Sequence, residues 1–223
     1  MFGLFSLFTA FSFATASAPP VPIAVALPIP HSYEATTLSS HEMSLAHRYD
    51  VASVNEVFKD NILLNMAYLR QEPVNPKAVD WNSVRKPFTY NFKLEPGQTF
   101  AYHSDVKQGY ANIAKTTNAH FNAQEGFKSS GYLYGDGVCH LASLIYWSAK
   151  DAGLQAEAPT NHDFAKINQI PKEYGVAIYN VPGQTTVNNN QNLYITNTTS
   201  KTVNFVFNYD GQNLETRIDQ VNS

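Results

Sequence analysis

The stretch Gly131-Tyr-Leu-Tyr-Gly-Asp-Gly-Val-Cys139-His-Leu-Ala-Ser-Leu-Ile-Tyr-Trp-Ser-Ala-Lys-Asp-Ala-Gly153 decides the fold. Leu141, Leu144, Ile145, Ala149 and Ala152 recur at i, i+3, i+4, the period of one buried helix face. Gly153 stands where a helix-terminating glycine belongs. Gly135 and Gly137 precede the only cysteine of the chain. The spacing therefore predicts a core helix with Cys139 at or just inside its N-terminus, after a glycine turn. Asp136 is a candidate N-cap.

That placement has chemical consequences. A thiol reacts as its thiolate, and a helix N-terminus favours the anion through its partial positive charge and unpaired N–H groups. The same N–H groups can hold an oxyanion. Glycines before the helix allow a substrate close to the backbone. Asp136, three residues away, opposes ionisation if it faces the sulfur. The plainer alternative is a buried cysteine serving as a small apolar residue.

Outward from this helix, strands dominate. Phe88, Tyr90, Phe92 and Leu94 alternate with polar residues, Glu95-Pro-Gly-Gln98 is a turn, and Thr99 to Tyr102 continues as a short strand. Residues 103–130 are polar and irregular. Gly175 to Val181 reads as a strand, as does Asn192 to Thr198. Val203, Phe205, Phe207 and Tyr209 alternate, and Asp210-Gly211 turns the chain into a partner strand from Leu214 to Val221. Before them, Val51, Val54, Val57 and Phe58 fit a short helix, and Ile62, Met66 and Leu69 fit a further piece capped by Asp60. The fold class is α+β: a central helix carrying Cys139 at its N-terminus, packed on a mainly antiparallel sheet.

The start of the chain reads differently. Phe2 to Ala18 is apolar, uncharged and ends in Ala16-Ser-Ala18, the pattern of a signal-peptide cleavage site. No Lys or Arg precedes it, so retention as a membrane anchor is the other reading. Either predicts an exported protein, with membrane association through this segment. Pro19 to Pro30 is a proline-rich linker, and the polar residues as far as Ala46 extend it. One domain, 47–223, follows. Fifteen basic against eighteen acidic residues give a net charge of −3, which points away from nucleic acid. A single cysteine excludes an internal disulfide. No phosphate loop or dinucleotide fingerprint is present, so no cofactor is expected.

Several of these residues together resemble a family. Leu94-Glu-Pro-Gly-Gln-Thr-Phe100 is similar to the L-x-P-G-E-x-F element of VanW-like proteins. Gly135-Asp-Gly-Val-Cys139-His140 resembles their G-G-G-I-C-Q element, Ala152-Gly-Leu154 their A-G-L, and His162 falls where they carry a histidine after the helix. Asp136 replaces a glycine and His140 a glutamine, so no catalytic duty at the latter position requires a glutamine side chain. The resemblance implies an exported domain associated with the cell envelope; the family takes its name from an accessory gene of vancomycin-resistance clusters. The order of cysteine, helix, histidine and strands is also similar, more distantly, to transglutaminase and papain-like cysteine hydrolases.

Two functions compete. In the first, an acyl-transfer or amide-cleaving enzyme acts on peptidoglycan or cell-wall peptide. Cys139 is its nucleophile, His162 its base and Asp163 the group orienting the imidazole, with Asn161, Asn180 or Asn192 as other orienters. Gly135, Asp136, Gly137, His140 and Tyr134 would line the substrate site. In the second, a non-catalytic module binds an envelope ligand through aromatics such as Tyr132, Tyr134, Tyr146 and Trp147, and Cys139 is structural. A metal site from His103, Asp105, His120, Cys139, His140 and His162 has the ligand types but no zinc-like spacing.

Overall fold

The computed structural model describes residues 35–131 and 133–222. The expected leader, most of the linker and Tyr132 lie outside the described residues. In chain order the elements are β1 (Ala35–Ser44), α1 (Ala52–Leu69), α2 (Trp81–Val84), β2 (Phe88–Leu94), β3 (Thr99–Ala101) and β4 (Ile113–Lys115). Then come α3 (Val138–Asp151), β5 (Gln155–Glu157), α4 (Thr185–Asn188), β6 (Tyr194–Thr196), β7 (Val203–Tyr209) and β8 (Asn213–Val221). The architecture is α+β with two four-stranded sheets.

The first sheet has the order β1-β8-β7-β2 and is antiparallel throughout. Its alternating aromatics meet across strands: Phe92 lies opposite Phe205 with ring centroids 4.9 Å apart. The second sheet has the order β4-β3-β6-β5, with β3 and β4 parallel and the other pairs antiparallel. Helix α3 packs on β1 and β8 of the first sheet and on β5 of the second. Leu141, Leu144, Ile145 and Ala149 are fully buried, as their spacing demands. The helix closes with Leu154 N–H on Ala149 O and Gly153 N–H on Lys150 O, both 3.0 Å, a Schellman ending that Gly153 permits at φ +75°.

Three expectations are corrected. The segment before residue 47 is not all linker, because Ala35–Ser44 is a ten-residue strand paired along β8. The two helical pieces are one helix of eighteen residues, α1, and Asp60 is buried in its middle instead of capping it. Gly175 to Val181 forms no strand beyond a single bridge, Asn161 to Val176.

Asp60 has another use. Its carboxylate receives Arg85 Nε and Nη2, each at 2.7 Å, and Lys128 Nζ, while that Nζ sits 3.9 Å above the Trp81 ring. This buried cluster ties α1 to α2 and to the loop that leads into the cysteine segment. Lys128→Met should cost about 1.5–3 kcal/mol, the value of a hydrogen bond to a charged group. The loss should persist in 1 M salt, because the carboxylate is shielded from solvent. Urea denaturation at low and high salt measures it, and a loss that disappears in salt would mean a surface pair.

Candidate functional site

A cavity of about 300 Å³ opens at the N-terminal end of α3. It collects Tyr134, Gly135, Asp136, Gly137, Cys139, His140 and His162 from the sequence reading. Asp163 is exposed and lines an adjoining cavity of about 500 Å³, which shares His162 and Phe164 with the first. Asn180 lines the site, but its Nδ2 donates to Asp105 at 3.0 Å; Asn192 Nδ2 donates to the carbonyls of His103 and Asp105. Neither orients His162.

The glycine turn is built for packing. A Cβ on Gly137, at φ +101°, would lie 2.7 Å from Phe58 O and 2.9 Å from Phe58 Cα on α1. A Cβ on Gly135, at φ +83°, would lie 2.8 Å from Phe121 Cβ. Protein already fills the space that the sequence reading left for substrate. Asn61 on α1 locks the turn: Nδ2 donates to Asp136 O at 2.9 Å and Lys128 O at 3.0 Å, and Oδ1 accepts from Lys128 N at 2.8 Å. Asp136 does not cap α3. Gly137 is the N-cap, and the Asp136 carboxylate accepts from Ser130 N and Oγ at 2.8 and 2.7 Å.

Cys139 Sγ lies 3.3 Å from Ile178 N, accepting its N–H, and 3.5 Å from Ile178 O, where the thiol proton can donate. One turn on, Ser143 Oγ accepts from Val176 N at 2.9 Å and donates to Cys139 O at 2.7 Å. Side chains of α3 thus replace the ladder that the Gly175–Val181 segment lacks. Burial pushes the thiol up to about 11, with Asp136 adding to the rise.

The two imidazoles are also shifted, both downward. His162 is 7% exposed, its Nδ1 is 3.1 Å from Ala165 O, and burial lowers its pKa. Among the described residues no hydrogen bond joins it to Cys139. His140 is 5% exposed and packs between Phe58, at 5.1 Å between centroids, and His162, at 6.2 Å. Burial, then the charge of Arg48 and of His162, push its pKa down to about 3.

Phe58, Phe121, Phe164 and Gln191 complete the cavity and were not read from the sequence as site residues. Nothing in their local pattern marks them, since each reaches the site from a different part of the chain. Among the described residues no three His, Cys, Asp or Glu side chains cluster as metal ligands. His103 Nε2 is taken up by Gln191 O and His120 Nδ1 by Glu125.

A family model described as VanW like protein matches residues 89–218, more than half of the chain. No curated protein and no solved structure matches it. The match lends no support to the transglutaminase or papain-like likeness, and the Cys–His contact which that likeness implies is not formed. From β2 to within β8, with the cysteine turn and α3 between them, the sequence carries the family's pattern, and the chain belongs to the VanW-like family.

Proposed function

We propose that this VanW-like domain is a non-catalytic binding module of the cell envelope, exported through residues 1–18, and that its ligand is peptidoglycan or a related wall polymer. The observation that carries this reading is the state of Cys139. Its thiol is engaged with both main-chain groups of Ile178 and is protonated at neutral pH, with its pKa near 11. A nucleophilic cysteine needs the opposite: a lowered pKa and a base within hydrogen-bond reach. No hydrogen bond joins the candidate base, His162, to the sulfur among the described residues; its Nδ1 is 3.1 Å from Ala165 O. The cavity walls are rich in aromatic and aliphatic groups, among them Phe58, Phe121, Leu133 and Tyr134, as suits a binding site.

Two measurements test this. Iodoacetamide should modify folded protein at pH 8 about 100-fold more slowly than a free thiol, because a rise from 9.0 to about 11 cuts the thiolate fraction by that factor. Cys139→Ser should sediment with isolated peptidoglycan as well as the wild type. Rapid alkylation near neutral pH that slows in His162→Ala would instead mean a Cys–His enzyme, and the binding-module reading would fall.

A further inference from the structure

On that reading of the cavity as a binding site, we propose that His140 is its polar anchor. The group it takes is an uncharged secondary amide carried on an apolar frame. The N-acetyl group of an amino sugar and a peptide bond between small residues share this chemistry.

The first observation is an unpaired nitrogen. Among the described residues the buried His140 Nδ1 has no hydrogen-bond partner, and no protein group bonds Nε2. A buried polar atom left in this state costs about 1–3 kcal/mol, and native proteins seldom leave one without a partner, water or ligand. The ring lies between Phe58 and His162, which both wall the cavity with it. Nδ1 has no surface open to the cavity, so Nε2 is the ring nitrogen that can meet a ligand; it donates or accepts according to the tautomer, and a secondary amide answers either. The half-buried side-chain amide of Gln191 lines the same cavity and also lacks a protein partner among the described residues.

The second observation is charge. Among the described residues no Lys or Arg lines the cavity, and a single carboxylate, that of Asp136, does. An anionic ligand would face that carboxylate with no cation to offset it. A cationic group at His140 would face Arg48. That guanidinium is 2% exposed and bonded to Ser44 O, Asn168 O, Gln169 Oε1 and Met43 Sδ, with no carboxylate among its partners in the described residues. The cavity thus disfavours an anion, the Arg48 charge disfavours a cation at His140 itself, and His140 and Gln191 remain as groups suited to a neutral dipole.

The third observation is the rim. Leu133, Tyr134 and Phe164 border the cavity and are 50%, 53% and 77% exposed. Phe164 also rests on His162, with ring centroids 4.0 Å apart. Such rings take the apolar face of a pyranose or a small aliphatic side chain. The volume, about 300 Å³, is at the small end for ligand sites and suits one sugar unit or a short peptide.

The test uses the full chain with 15N-labelled histidine. The ring nitrogens of His140 are followed by NMR while three probes are titrated separately: the trimer of N-acetylglucosamine, the peptide N-acetyl-alanyl-alanine methylamide, and the trimer of glucose, which has no amide. One of the two amide probes should saturate and shift the His140 nitrogens, which also identifies the source of the amide. The glucose trimer should not. His140→Leu should weaken the binding at least tenfold, and His140→Gln, which keeps a donor and an acceptor, should stay within about threefold of the wild type. The proposal is overturned if neither amide probe binds, if binding leaves the His140 nitrogens unmoved, or if the glucose trimer binds equally well. Peptidoglycan sedimentation that persists alongside any of those results would sink this inference while sparing the binding-module reading.

Discussion

His140→Gln should remove about 2–3 kcal/mol of the stability that the protein loses between pH 7 and pH 4.5. In the unfolded chain this imidazole protonates near 6.5, and in the folded protein it resists until about 3. Between those values the unfolded state binds a proton that the native state refuses, so stability falls as the pH falls. Above 6.5 both states are neutral and the penalty is absent. The full difference amounts to about 4–5 kcal/mol at 1.36 kcal/mol per unit, and roughly 2–3 kcal/mol has been lost by pH 4.5. That is a large part of the 5–15 kcal/mol typical of a folded domain. The groups that set it are the burial of the ring, the Arg48 charge and the neighbouring His162. Glutamine is neutral throughout and is the residue of the family motif at this position. It gives up ring packing against Phe58 and His162, so the variant should start about 1–2 kcal/mol lower at pH 7. Urea denaturation at pH 7 and pH 4.5 separates the effects. The wild type should lose about 2–3 kcal/mol more than the variant between the two pH values; equal losses would mean that His140 is not the acid-sensitive group.

The same histidine marks where sequence reading stops. The period of α3, its closing glycine and the alternations of β2, β7 and β8 were legible because each is a local pattern facing one core. The glycine and cysteine motifs were legible as a family pattern. The chemistry of the residues was not, because it depends on partners far along the chain. Cys139 looked activated from its place at the head of a helix, but Ile178, thirty-nine residues on, engages the sulfur. Asp60 looked like a cap because a charge inside an apolar run usually ends one; its partners Arg85 and Lys128 lie twenty-five and sixty-eight residues away. Strand β1 escaped notice because it is polar on both faces, with only Ser39 and Met43 buried. Gly175 to Val181 has the composition of a strand, but Ser143, Cys139 and loop carbonyls take its N–H groups in place of a neighbouring strand.

Gly137→Ala should cost about 2–5 kcal/mol, against about 1–2 kcal/mol for Gly153→Ala. Both residues have positive φ, +101° and +75°. Each alanine therefore carries the left-handed penalty of an L-residue, roughly 1–2 kcal/mol. The surroundings differ. A Cβ at Gly153 meets nothing within 4 Å, so the conformational penalty is the whole effect. A Cβ at Gly137 meets the main chain of Phe58 at 2.7 and 2.9 Å. Phe58 lies within α1, whose hydrogen-bonded backbone cannot turn aside as a flexible side chain can. The overlap must be relieved by moving α3 away from α1, at a further cost of about 1–3 kcal/mol or somewhat more. That movement would also strain the Asn61 bonds to Asp136 O and Lys128 O, which hold the turn at the mouth of the cavity. Two consequences follow from one methyl group: a lower unfolding midpoint and a disturbed site. Denaturation of both variants, with the iodoacetamide rate of Cys139 as a local probe, distinguishes this from a uniform loss. Gly137→Ala should expose the thiol to faster alkylation under native conditions, and Gly153→Ala should not. If the two variants lose equal stability, close approach of α1 is not what requires glycine at the head of α3.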